Sequence, residues 1–316
     1  MADVNYDFNI PTISGQQITV QWLVADPRRI YRLLNTLIQQ RLVGQRILTG
    51  RVDLTGSGAA IYEIAENVFA DVLSSTVAPL AEYPLTTTTP GTLATVKPLK
   101  DGLKTIISDE AVAHSRIDKV MRDLIKIANT LVFKADGLVL AAIASKVTQT
   151  QAVTAGAWTT TGSNPFVDIG LAVAQIDSQN KGYVANVVAL SPTAFVYAIS
   201  RAAVLNYMPR ESASNIIATG NMAQIAGLTY LKSTNLPTGI SVVVADSTML
   251  GSIAWENLGG GYTGDPNPDG GASGAEVKKY REEERDGQTV QARLVRAPMI
   301  IEPGAAVTLS TATIGA

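Results

Sequence analysis

The sequence predicts an α+β fold, and three features carry that prediction. A long helical stripe follows directly on an extended stretch ending at Ile107. A turn-broken, β-branched segment fills residues 50–102, and beyond residue 160 helices and strands mix without strict βαβ alternation. The stripe reads Ala113, Ile117, Val120, Leu124, Ile127, Leu131, Ala135, Leu138 and Ala142, and these steps of three and four belong to a helix. Ser108 stands at the N-cap position, and Asp109 and Glu110 put negative charge on the positive end of the helix dipole. Ala111 occupies the place where a capping box needs Glu or Gln. One helix over 109–145 would run roughly 55 Å at ~1.5 Å per residue, with Gly137 as a candidate bend.

The remaining elements follow in order. Residues 1–25 read as an extended arm with turn signals at Pro11 and Gly15. Asp26-Pro27 opens a short helix whose apolar face is Ile30, Leu33, Leu34, Leu37, Ile38 and Leu42, closed by Gly44. Between Gly50 and Gly102, turn residues (Gly50, Gly56, Gly58, Pro79, Pro84, Pro90, Gly91) break short strand-like runs. This predicts a long two-stranded excursion that cannot bury a core of its own and exists to touch a neighbour. Residues 146–164 read as a linker. Beyond it, Phe166 to Gln179 is helical, Tyr183 to Leu190 is a buried strand, and Ser191-Pro192 caps a helix through Val204; Ile216 to Met222 is ambiguous. Leu228 to Lys232, Ile240 to Ala245 and Met249 to Trp255 read as strands. Val277 to Arg285 and Thr289 to Val295 face each other across Asp286-Gly287, a hairpin dipeptide, and Ala306 to Thr313 is a further strand.

Composition narrows the function. Charged residues make up only 16% of the 316 positions and hydrophobic residues 46%, against ~25% charged in an average soluble domain. Such a surface needs a cover. No apolar run approaches the ~18 residues that span a bilayer, so the expected cover is further copies of the chain, not lipid. Asp3 and Asp7, with no basic residue up to Ile10, argue against a signal peptide. A net charge of −2 excludes a strongly basic nucleic-acid binder working by counterion release. The clusters Arg28, Arg29, Arg32 and Lys278, Lys279, Arg281 are read as solvated or inter-subunit faces. Cysteine is absent, which removes disulfides and thiolate metal sites.

The search for catalysis returns almost nothing. The single histidine, His114, falls in the first turns of the long helix and reads as a surface or interface residue. Gly56-Ser57-Gly58 and Gly259-Gly260-Gly261 lack the lysine and following helix of a phosphate cradle. One candidate metal loop exists: Asp265, Asn267 and Asp269, with Gly270 and then Glu276, match the oxygen spacing of a calcium loop. Its flanks oppose it, because Leu258 to Gly264 is glycine-rich and Pro266 and Pro268 stiffen the loop, where an EF-hand needs helices. Glu282 and Glu284 would share one strand face and Arg281, Glu283 and Arg285 the other, a pattern of a salt-bridged edge more than of paired catalytic acids.

The order of parts resembles the HK97-fold major capsid proteins of tailed bacteriophages. The residues that carry the likeness are Glu82-Tyr83-Pro84-Leu85, and Lys97 with Leu103-Lys104-Thr105-Ile106-Ile107-Ser108-Asp109-Glu110, which looks like a returning E-loop strand entering a spine helix. Ala189-Leu190-Ser191-Pro192-Thr193 is similar to the strand-to-helix turn of an A-domain, and Ile225-Ala226-Gly227-Leu228 with Leu236-Pro237-Thr238-Gly239 to its later strands and turn. The resemblance implies an N-terminal arm over 1–49, an E-loop and its base over 50–102, and a P-domain spine helix and linker over 103–159. An α/β A-domain would follow over 160–274, then a P-domain hairpin and C-terminal strand over 275–316.

It further implies a non-enzymatic shell subunit with no cofactor. The subunit would form pentamers and hexamers of an icosahedral head around double-stranded DNA, without sequence-specific contacts and without a membrane. A portal and scaffolding or decoration proteins are the implied partners, and assembly would occur in the host bacterial cytoplasm. No lysine precedes Lys97, so the loop tip near Asp71 to Pro84 has no amine for the isopeptide cross-link some members form. No long charged helix precedes the arm, so any scaffold is expected to be a separate protein. Two rivals remain: an encapsulin-like compartment shell, and a calcium-dependent soluble enzyme built around Asp265 to Glu276.

Overall fold

The computed structural model describes residues 20–39, 41–65, 69–72, 74–87, 89–114, 117–154, 156–160, 162–200, 224–268, 273–310 and 314. The expected arm over 1–19, the ambiguous segment 216–222 and the end of the helix expected to reach Val204 lie outside these residues. Chain order is α1 (Val20–Ala25), α2 (Pro27–Gln39), α3 (Gly44–Ile47), β1 (Gly50–Asp53), β2 (Ala60–Ile64), β3 (Thr92–Val96), β4 (Leu99–Ser108), α4 (Asp109–Ala113) and α5 (Ile117–Lys146). Then come α6 (Pro165–Asp177), β5 (Val187–Leu190), α7 (Pro192–Ser200), β6 (Gln224–Ile225), β7 (Leu228–Lys232), β8 (Ile240–Ala245), β9 (Gly251–Trp255), β10 (Ala275–Glu282), β11 (Gly287–Ile300) and β12 (Ala306–Ser310). Helices and strands are mixed as an α+β chain requires.

Two five-stranded sheets and one two-stranded sheet result. In the first, the 14-residue β11 is the axis. β4 lies antiparallel along one side of it, β10 and then β9 occupy the other side, and β1 adds in parallel to β9. The second sheet has the order β12-β8-β5-β7-β6, with its central strands buried on both faces. Its tight turn at Ala226-Gly227, where Ile225 faces Leu228, has φ of 53° and 79°, the doubly left-handed geometry of a two-residue hairpin.

α5 joins the two sheets. Its N-terminal two-thirds gives Val120, Leu124, Ile127, Leu131 and Ala135 to a core shared with α2 and the first sheet, where Ile30, Leu33, Leu34, Leu37 and Ile38 are buried. Its last turns give Val139, Leu140 and Ile143 to a second core under β5, β8 and β12. The face therefore rotates: Leu138 and Ala142 are only partly buried, and Val139 and Ile143 take the core positions. The helix continues through Gly137. By length and composition alone Lys119–Lys146 would cross a bilayer, but half of it is buried in this packing.

Several expectations need correction. The helix does not run unbroken from 109: Ser108 Oγ accepts the Ala111 N–H at 3.4 Å as an N-cap, but α4 ends at His114 after five residues. His114 has φ −86° and ψ 7° and is exposed, as is Ala113, so neither extends the core stripe. Residues 20–25 are helix, not extended arm, and Gly44 begins α3 instead of merely closing α2. β1 is a sheet strand, so the excursion proper starts after Asp53. Residues 146–164 hold more than a linker: Trp158 is fully buried, its Nε1–H donates to Asp168 Oδ2 at 2.7 Å and its backbone N–H to the Ile314 carbonyl. The hairpin between β10 and β11 is not two residues wide. Glu282 pairs with Gly287, and Glu283–Arg285 form a 3-10 turn with Asp286 left-handed at φ 42°. The predicted alternation of Glu282 and Glu284 against Arg281, Glu283 and Arg285 on one strand accordingly breaks at Glu282.

Candidate functional site

β2 and β3 pair antiparallel and leave the body as a two-stranded ribbon. At its base a small core of Leu54, Val96, Ala254, Ala297 and Met299, with Tyr62 against it, pins the ribbon to the first sheet. Farther out the described residues form no buried core. Polar bonds hold the limbs together: Asp71 Oδ2 accepts from Thr87 Oγ1 at 3.1 Å and Thr89 Oγ1 at 3.0 Å. Beyond that clasp Leu80 is completely exposed, with Tyr83 at 82% and Leu85 at 91%. Leu80 also has φ 67°, a conformation that costs an L residue roughly 1–2 kcal/mol.

A second feature is an open groove of about 650 Å³ between the α2–α3 turn, the middle of α5 and the loop after β7. Its rim carries Arg41, Arg46 and Lys232, and Phe133 stands 66% exposed in it beside the buried Tyr230. Burial pushes the Tyr230 phenol up to about 12. Lys232 Nζ lies 5.6 Å from the Phe195 ring centre. At the floor Asp136 accepts the N–H groups of Val43 at 3.0 Å and Gly44 at 2.9 Å, which fixes the start of α3. A Cβ on Gly44 would meet the Val139 Cβ at 2.9 Å, so the turn can approach α5 only as glycine. Burial raises the Asp136 carboxyl against the opposing pull of those two N–H groups and of Arg296. Burial also lowers the guanidinium of Arg296 to about 10, opposed by Asp136 and Asp101, and its Nε and Nη2 have no hydrogen-bond partner. No local pattern announces this groove, because residues 41–46, 129–136 and 230–235 meet only in three dimensions.

The hairpin end of the first sheet holds a charge cluster. Glu282 takes Lys104 at 2.9 Å, tying β10 to β4 across β11. Arg281 reaches Asp109 at 3.0 Å and Glu283 at 3.0 Å. The Lys104 hydrogen bond holds the Glu282 carboxyl below the usual carboxylate range, and the same bond raises Lys104. Lys278 Nζ donates to the Gly260 carbonyl at 2.8 Å, closing the glycine-rich loop onto β10. This is inter-element bracing on the surface; no acid of the cluster stands in a cleft.

The residues of the candidate calcium loop are placed as follows. Glu276 is buried in β10 and both its oxygens go to Arg293, at 2.7 and 3.3 Å. Arg293 in turn stacks 3.6 Å from the Tyr262 ring centre and donates to the Gly259 carbonyl. Asp265 is exposed, and its Oδ1 accepts the Asn267 N–H at 2.9 Å. Asp269 lies outside the described residues. Among the described residues no three His, Asp or Glu side chains converge on a common point.

The comparisons name the family. The sequence profile of the phage capsid protein family matches residues 91–309, and the chain belongs to that family. In fold it is similar to the capsid of cyanophage P-SCSP1u (TM-score 0.55, 15% identity, 85% of this chain and 88% of that one). It is likewise similar to a phage-related protein of Bordetella bronchiseptica RB50 (TM-score 0.58, 11% identity, 90% and 97%). A virus-like particle from Pyrococcus furiosus also shares the fold (TM-score 0.53, 12% identity, 88% and 98%). No curated protein sequence matches significantly. The chain is thus a capsid shell protein of the virion, as the resemblance to HK97-fold capsid proteins implied, and a homo-oligomeric structural role follows from the family.

Proposed function

We propose that this chain is the major capsid protein of a tailed bacteriophage, assembling in the bacterial cytoplasm into pentamers and hexamers of a closed head around double-stranded DNA. The observation that carries the reading is the family match over most of the chain, joined to a ribbon whose apolar tip no described residue of its own subunit covers. In this reading residues 1–49 are the N-arm and 50–102 the E-loop and its base. α5 is the spine helix of a P-domain made by 103–159 and 275–316, and 160–274 form the A-domain. Heterologous contacts close rings, and arms or loops reaching over neighbours bury what the low-charge surface leaves exposed. A portal and separate scaffolding or decoration proteins complete the head, and the near-neutral chain meets packaged duplex without reading its sequence.

The test is expression of the full chain, alone and with its neighbouring head proteins, followed by electron microscopy and size-exclusion chromatography. Closed particles support the reading; a stable monomer under every condition overturns it. Particles that hold a protein cargo and no nucleic acid would favour an encapsulin-like compartment instead. Denaturing gels of mature particles are expected to show monomers only, because the loop tip offers no lysine; a covalent ladder would contradict this.

A further inference from the structure

The two cores meet at a charged seam. On β11 the alternate residues Val290, Ala292 and Leu294 enter the first core, and Ile300, on the same face, enters the second. Arg296 and Pro298 stand between them on that face. On α5, Asp136 falls between Ala135 of the first core and Val139 of the second. Both charges are out of water, Asp136 at 1% exposure and Arg296 at 5%. Opposite charges buried at one seam are ordinarily paired, because each is costly alone. These two are not. Both Asp136 oxygens are taken by the backbone N–H groups of Val43 and Gly44 in the α2–α3 turn. Among the described residues Arg296 Nε and Nη2 find no acceptor.

The other charges around Arg296 do not resolve this. Asp101, diagonally across on β4, attracts it but is half-buried, and Arg51 on β1 repels it. Arg51 is itself occupied with the carbonyls of Gln45, Leu48, Gly50 and Pro268. Burial raises the Asp136 carboxyl and lowers the Arg296 guanidinium, and the attraction of each for the other opposes both shifts. With the turn seated, the carboxylate is aimed at the turn and the guanidinium is left over. Two sets of donors thus compete for one acid, and this arrangement satisfies one set.

We propose that Asp136 is a two-position latch: it holds the Val43–Gly44 turn against α5 here and, when that turn lifts, closes on Arg296 instead. The released N–H groups then face the open groove, where water accepts from them, while the enclosed guanidinium gains its counter-ion. The seating is tight enough for a small displacement to break it. A Cβ on Gly44 would lie 2.9 Å from the Val139 Cβ and 3.1 Å from Asp136 Oδ1. Val43, Arg46 and Asp136 all line the groove, so the latch position sets the shape of its wall and couples that wall to β11. The inference goes beyond the shell reading and does not depend on it.

The test is hydrogen exchange at the Val43 and Gly44 amides of the full-length protein, expressed as protection relative to intrinsic rates. Arg296→Met removes the second partner, so protection of these two amides is expected to rise roughly fivefold or more, with the Val242 to Val244 amides of β8 as the unchanged reference. Arg296→Lys keeps a charge that can take Asp136 and is expected to stay within about twofold of wild type. Unchanged or lower protection in Arg296→Met overturns the latch. Failure of that variant to fold overturns it too, because the guanidinium would then be needed with the turn seated. A second variant reads the other position. Gly44→Ala drives the turn off α5, so Asp136 should already hold Arg296 in it. Arg296→Met added to Gly44→Ala is expected to lower the melting temperature by roughly 3 °C more than it does in wild type. Equal losses in the two backgrounds overturn the proposal, as does a Gly44→Ala chain that cannot fold, since the seated turn would then be the single arrangement tolerated.

Discussion

In the body, Trp158 is fully buried and its indole N–H reaches Asp168; on the ribbon, Leu80, Tyr83 and Leu85 stand almost wholly in solvent. Body carboxylates are spoken for: Asp136 caps two backbone N–H groups, Glu276 holds Arg293, and Asp246 accepts from Val184 and Thr248. On the ribbon Asp71 accepts from Thr87 and Thr89, and among the described residues Glu63 and Glu82 make no ion pair. The same chain thus contains one region where these carboxylates are partnered and large side chains are buried, and another where large apolar side chains stand in solvent. Substitutions in the first should act on folding and in the second on association, and that division can be tested.

The largest effect expected is at Trp158. Its replacement by alanine removes the indole from the second core and leaves Asp168 Oδ2 without its indole donor, which should destabilise the unassembled subunit by about 4 kcal/mol in urea denaturation. Next comes Asp136→Ala, which leaves two buried N–H groups at α3 without an acceptor and should cost about 3 kcal/mol in the same assay. A value near zero at either position would break the division, since the body would then tolerate incomplete bonding as the ribbon does.

Leu80→Gly should behave in the opposite sense. It releases the left-handed strain and raises subunit stability by about 1 kcal/mol, yet lowers particle yield by removing an apolar contact. The smallest effect concerns pH at the hairpin. The folded-state pKa of Glu282 is lowered by Lys104, so its contribution is present above the ordinary value of ~4.3 and is lost as pH falls through the lower folded one. Lys104 is raised, so its share is present below ~10.4 and lost as pH rises through its folded value. Protection factors of β4 amides, taken relative to the intrinsic exchange rate at each pH, should therefore be largest between these limits and fall on acidification. Lys104→Met should abolish that dependence.

Much of the body was readable because its signals are local. β7 and β8 begin and end at the predicted residues, and the apolar face of α2 is the predicted one, since period and turn chemistry lie within a few positions of each other. The break after Ala113 was not readable: the stripe continues through it, and only the backbone at His114 shows the helix stopping. Trp158 sits in a Thr- and Gly-rich stretch that resembles a linker, and its anchor, Asp168, is polar, so hydrophobic patterning gave no warning. The hairpin misled because Asp286-Gly287 suits a tight turn, while the pairing of Lys104 with Glu282 and of Arg281 with Asp109 favours a wider one. The groove could not be foreseen from any window, although the exposed ribbon could.

The unbroken passage of α5 from one core into the other carries a mechanical consequence. With Leu124 and Leu131 gripped at one end and Val139 and Ile143 at the other, the two large sheets cannot rock independently, because any tilt would have to shear a close-packed interior. Whatever curvature the proposed shell demands must then be found at the joints between molecules.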